Sequence, residues 1–179
     1  MRSTGAPRIA VLGLGNVLMG DDALGPYVAR VLEAAYEFPN DVSVLDLGTP
    51  GLDLAPYVSN IEALVLVDTV KSAGEPGELR SYTKAEVLKH PPQPRLSPHD
   101  PGVKEALLMA DLEGTGPREV LLVGVIPEST AMGTGLSPAV KRAVPRVVDA
   151  VLRELERQGI IVRPRAEPRP PDLWWEEGV

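Results

Sequence analysis

Three residues of this sequence have the chemistry and the placement of a metal or acid–base site: Asp22 in "GNVLMGDDALGP", Asp68 at the end of "ALVLVD", and His99 in "LSPHDPG". Two carboxylates and an imidazole make a hard-to-borderline donor set that suits nickel or zinc and leaves positions for water or a substrate. The same two acids could instead serve as a general acid and base. Each residue alone has a plainer reading. Asp21 or Asp22 can cap the helix that follows, Asp68 can satisfy backbone groups of its own turn, and a lone loop histidine is more often solvated than a ligand. Two aspartates in a row let one cap while the other reaches a ligand. The other histidine, His90 in "LKHPPQP", reads as a surface-loop residue, and Asp100 reads as a helix N-cap before Pro101.

The elements that must position these residues alternate. Apolar runs at Ile9 to Leu14, Val42 to Leu47, Ala63 to Asp68 and Val120 to Ile126 read as strands, the last two apolar enough to be covered on both faces. Helical spacing lies between them: Leu24, Val28, Val31, Leu32 and Ala35; Val103, Leu107 and Ala110; and Val140 through Leu155. This order predicts an α/β fold, a mostly parallel sheet with crossover helices. "GELRSY", Gly77 to Tyr82, alternates and suits an antiparallel edge strand. The last helix should start at Ser137 as N-cap with Pro138 at its first position and stop at Gly159, and Pro145 should kink or split it. In an open parallel sheet the loops at the carboxyl ends of the strands carry the ligand site. Asp22, Asp68 and His99 all follow that rule.

Composition narrows the partners. With 179 residues the chain fits one core domain, read here as residues 1–162, followed by a proline-rich tail, 163–179, expected to lie extended outside the core. The net charge of −7 argues against nucleic acid and anionic membranes as partners. No signal peptide or membrane span is evident, and there is no cysteine, so a cytoplasmic location is expected. Gly13 and Gly15 with Asp46 partly fit a dinucleotide fingerprint, but the third glycine position is Leu18, and the paired acids would repel a pyrophosphate. No HExxH, GxSxG or P-loop motif competes.

Read together, "GLGNVLMGDDALGP", "LDLGTPGLDL", "LVLVDTV", "LSPHDPG" and "VLLVGVIPEST" closely resemble, in this order, the hydrogenase maturation proteases, which trim the carboxyl end of the [NiFe]-hydrogenase large subunit. The match runs from about Arg8 through the last helix. The resemblance implies a three-layer α/β/α sandwich and an endopeptidase acting on a nickel-loaded large-subunit precursor. It places the family's metal-binding residues on Asp22, Asp68 and His99, and its "GTxG" loop on Gly48, Thr49 and Gly51. Many members carry Glu at the first position, where this chain has the shorter Asp22. Three mechanisms stay open: nickel recognised as part of the substrate, a metal-polarised carbonyl or metal-bound water, or the two carboxylates working as an aspartyl-type acid–base pair. The reading favoured here is recognition of nickel, or zinc or another divalent ion in its place, with the metal helping to polarise the peptide. A non-catalytic, metal-dependent maturation chaperone on the same fold is the alternative.

Overall fold

The computed structural model describes residues 8–89 and 102–177. His90, His99, Asp100 and Pro101 therefore lie outside the described residues. The apolar runs form a five-stranded sheet in the order β3-β1-β4-β6-β5, from β1 (Ile9–Leu14), β3 (Val42–Gly48), β4 (Ala63–Thr69), β6 (Glu119–Val125) and β5 (Leu79–Thr83). β1, β3, β4 and β6 are parallel, and β5 pairs antiparallel with β6 at one edge, as its alternation predicts. A separate two-stranded ribbon joins β2 (Tyr36–Glu37) to β7 (Arg163–Pro164).

Strand periodicity divides the core into two layers, because successive side chains point to opposite faces. Ile9, Val11, Val65, Val67, Val123 and Val125 pack against α1 (Leu24–Ala35) and α5 (Pro138–Arg157). Ala10, Leu12, Leu64, Leu66 and Leu122 face the opposite layer of α2 (Ala55–Val58), α3 (Lys84–Lys89) and α4 (Val103–Leu112). The molecule is thus a three-layer α/β/α sandwich. Among the described residues, no helix is long and apolar enough to cross a membrane.

Helix α5 starts and stops where its sequence says. The Ser137 hydroxyl accepts from the Val140 amide, Pro138 occupies the first turn, and Gly159 takes φ 79° just past the end. The expected split at Pro145 does not occur: the helix runs unbroken through it. Pro145 and Lys141 both lie on the exposed face, so the Lys141 carbonyl that loses its amide partner faces water and costs little.

The segment after Val162 is extended, but it is not outside the core as its composition suggests. It pairs with β2, then runs along α1, the Arg165 amide donating to the Ala35 carbonyl and the Arg169 amide to that of Ala34. Leu173 packs on the α1–α5 layer, and Trp175 is buried there at 4% exposure, with Trp174 set edge-on against it. Removing a buried tryptophan side chain costs about 3–5 kcal/mol. Trp175→Ala is therefore expected to lower the melting temperature by roughly 6–20 °C for a domain of this size. Thermal unfolding followed by far-UV circular dichroism tests this, and an unchanged midpoint would mean that the tail does not pack.

Candidate active site at the carboxyl end of the sheet

Parallel β1, β3 and β4 release their following loops at one end of the sheet, and the candidate acids meet there. A short turn, Gly20–Ala23, carries Asp21 and Asp22 from β1 into α1, and Asp68 is the penultimate residue of β4. The "GTPG" loop leaves β3 at the same end, where the Gly15 amide donates to the Gly48 carbonyl at 2.8 Å. Of the three residues singled out from the sequence, the structure brings Asp22 and Asp68 to one place, and His99 is outside the described residues.

Asp22 is 8% exposed and oriented from two sides. Its Oδ2 accepts from the Asn16 amide at 2.8 Å, and its Oδ1 accepts from the Thr69 hydroxyl at 3.2 Å. The Thr69 amide in turn donates to Asp68 Oδ1 at 2.6 Å. Thr69, itself buried, therefore links the two acids: its hydroxyl holds one and its amide the other. Hydrogen bonds of this kind, from fixed donors to a carboxylate, aim its oxygens. Both acids supply oxygen donors of the type that takes divalent cations.

Two residues that matter here were not singled out from the sequence. Thr69 stood in plain view after Asp68, and a hydroxyl beside a strand-ending acid was the available signal. Asn16 contributes through its backbone amide, while its side chain accepts from Leu18 N and shapes the turn. The expectation that one acid of the pair caps the following helix also needs correction. Neither the Gly20–Ala23 turn nor α1 has a side-chain cap, and Asp21 instead accepts from Glu128 and Ser137, at the two ends of the loop between β6 and α5.

The dinucleotide reading finds no support in this geometry. Asp46, the candidate ribose acid, accepts from the Arg30 guanidinium at 3.2 and 3.3 Å and from the Gly48 amide. Gly15, at φ 141°, is required because a Cβ there would lie 1.8 Å from the Asp22 carbonyl oxygen. The glycine turn thus admits the acid loop itself.

The α/β/α architecture brings the buried Asp22 and the half-buried Asp68 together at the sheet end, and comparison with known proteins gives the class. The sequence profile of the hydrogenase maturation proteases matches residues 26–154. The hydrogenase 2 maturation protease of Escherichia coli strain K12 is 35% identical over 159 residues, covering 88% of this chain and 96% of the relative. The hydrogenase expression/formation protein HupD of Rhizobium leguminosarum is 33% identical, covering 90% and 81%. Among solved structures, the hydrogenase maturating endopeptidase HybD from E. coli superposes with a TM-score of 0.84 at 34% identity, covering 89% of this chain and 98% of that one. The [NiFe] hydrogenase maturation protease HybD from Thermococcus kodakarensis gives 0.65 at 26%, covering 82% and 98%. The chain belongs to the hydrogenase maturation protease family. It is accordingly a peptidase, which sets aside the reading as a non-catalytic module.

The site depends on a close approach that one methyl group would block. A Cβ on Gly25 would lie 2.1 Å from the Leu14 carbonyl oxygen and 2.5 Å from that of Val67, both backbone atoms that cannot yield. Gly25→Ala is expected to cost at least about 3 kcal/mol, the upper range for overpacking, and so to lower the melting temperature by roughly 6–12 °C. Calorimetry of the purified variant checks it; a shift under about 2 °C would show that α1 can lift away freely.

Proposed function

We propose that this peptidase removes the carboxyl-terminal extension of a [NiFe]-hydrogenase large-subunit precursor after nickel insertion, and that Asp22, Asp68 and His99 recognise the metal carried by that precursor. One observation supports this above the others: Asp22 and Asp68, 46 positions apart, are held at one sheet end by the single residue Thr69, whose hydroxyl donates to Asp22 and whose backbone amide donates to Asp68. A carboxylate has about four lone-pair positions, so fixed N–H and O–H donors can orient it while it also takes a cation. His99 adds the imidazole suited to nickel or zinc. Nickel carried by the precursor would mark it as complete and would supply Lewis-acid polarisation of a peptide carbonyl, with Asp22, Asp68 and His99 as the residues that would hold it. The chain's own part is to hold two oxygen donors in fixed orientation at the carboxyl end of the sheet, where ligand groups collect in parallel sheets. The absence of cysteine fits action in a reducing, cytoplasmic compartment.

The direct test is appearance of the released peptide when the purified chain is mixed with nickel-loaded precursor, followed by mass spectrometry. Asp22→Ala and Asp68→Ala are each expected to abolish release while the circular dichroism spectrum stays that of the wild type. Normal cleavage by either would remove that residue from the site.

Protons compete with metal at histidine, because a ligand imidazole must be neutral and its ordinary pKa is about 6.5. Affinity for nickel or zinc should therefore weaken as pH falls from about 7 to 5, while carboxylates with ordinary values near 4 contribute less in that window. Titration calorimetry is expected to show this loss in the wild type and in His90→Ala. In His99→Ala, binding should be weak and nearly flat with pH. Loss of the pH dependence in His90→Ala instead would exchange the two histidines.

A further inference from the structure

The peptidase reading gives Asp21 no task, yet it is the more deeply buried of the two adjacent acids, at 1% exposure. Four donors converge on its carboxylate. Glu128 N and Ser129 N donate to Oδ2 at 2.8 and 3.1 Å, Ser137 Oγ donates to Oδ2 at 2.9 Å, and Ser137 N donates to Oδ1 at 2.6 Å. All four are neutral groups, three of them backbone amides. They come from the two ends of the loop that joins β6 to α5, and Ser137 is the N-cap of α5. A negative charge at a helix N-terminus is favourably placed. The backbone reinforces the same junction: Asp21 N donates to the Ser129 carbonyl, Gly20 N to that of Gly133, and Gly133 N to that of Leu18.

Asp22 follows Asp21 directly, and a peptide unit between two fixed residues has little freedom. Its carboxylate accepts from Asn16 and Thr69. Its main chain is tied within the turn by the Asp22 amide's bond to the Met19 carbonyl, and the turn itself is tied to the β6–α5 loop by the clamp on Asp21. We propose that Asp21 is a positioning residue for Asp22. Its carboxylate ties the acid turn to the β6–α5 loop and so sets the direction from which Asp22 meets substrate and metal. This rests on the peptidase reading above, and it divides the two adjacent acids by role: Asp21 faces inward to four protein donors, and Asp22 faces the site.

The chemistry requires a carboxylate. Asparagine has the same shape but replaces one oxygen with an NH2 donor. Since both Oδ1 and Oδ2 of Asp21 accept from backbone N–H groups, either orientation of the amide sets donor against donor. Misplaced orienting groups of this kind cost about 10–100-fold in activity or metal affinity.

The experiment compares full-length wild type with Asp21→Asn, Ser137→Ala and a stability control, Leu155→Ala. Leu155 is fully buried in the same helix, 18 residues and so about 27 Å from Ser137. Three readouts are taken well below each melting point: kcat and KM on the nickel-loaded precursor, the carboxyl 13C resonance of Asp22, and amide exchange at Glu128, Ser129 and Ser137. For Asp21→Asn, kcat is expected to fall at least about tenfold with KM nearly unchanged, the Asp22 resonance to move, and the three amides to exchange faster. Ser137→Ala keeps the backbone donors and should give the same pattern in weaker form. Leu155→Ala should lose stability while kcat and the Asp22 resonance hold.

Wild-type kcat and an unmoved Asp22 resonance in Asp21→Asn would overturn the proposal. So would a fall in kcat that Leu155→Ala reproduces at equal loss of stability. If Asp21→Asn does not fold, Ser137→Ala decides: an unmoved Asp22 resonance there overturns the assignment. A wild type that leaves the precursor uncut would sink the peptidase reading instead, and the resonance and exchange measurements would still judge the clamp.

Discussion

The structure turns on the contact between the first strand and the first helix. Gly13 and Gly25 face each other so closely that a Cβ on Gly13 would lie 2.2 Å from the Gly25 carbonyl oxygen. Helix α1 therefore lies directly on the ends of β1 and β4, with no side chain between them. The short turn that precedes it has only one place to go, over the carboxyl end of the sheet. There Asp22 comes within reach of the Thr69 hydroxyl of the neighbouring strand. Had either glycine carried a side chain, the turn would be displaced and the two acids would not share a threonine.

Burying two adjacent aspartates in a chain of net charge −7 carries an electrostatic cost, since unpaired buried charge is expensive. The structure offsets it by giving each carboxylate its own hydrogen-bond donors. Asp21 takes three backbone amides and a hydroxyl; Asp22 takes one of each. A Gly-turn followed by acids is the inverse of a phosphate-binding loop, in which amides and the helix end receive an anion from outside. Here the amides receive anions belonging to the chain itself.

Much of this was legible in the residues. Continuous apolar runs marked β4 and β6 because both of their faces are covered, and the alternation of "GELRSY" marked the edge strand β5 because one of its faces is less so. Asp22 and Asp68 stood out because strand-end loops collect ligand groups in parallel sheets. The partners of Asp21 were not legible. They lie 107 to 116 positions away, and local propensity carries no information across that distance. The tail was misread for a related reason. Proline-rich composition reports that a segment is extended, and says nothing about a groove between α1 and α5 that accepts Trp175. Pro145 misled because a missing amide matters only where its carbonyl partner is buried, and exposure is a property of the folded helix.

The long reach of the Asp21 clamp also bears on when the protein becomes competent. A polypeptide emerges from its amino end, so β1, the acid turn, α1 and β4 are available early, and contacts of high sequence separation close late. The acids near the amino end cannot be locked until Ser137 and the start of α5 have been made, and the α1–α5 layer is not sealed until Trp175 arrives behind them. A nascent or broken chain thus holds its acid turn without the brace that orders it. The turn near the amino end takes its folded form only when partners more than a hundred positions later in the chain are in place.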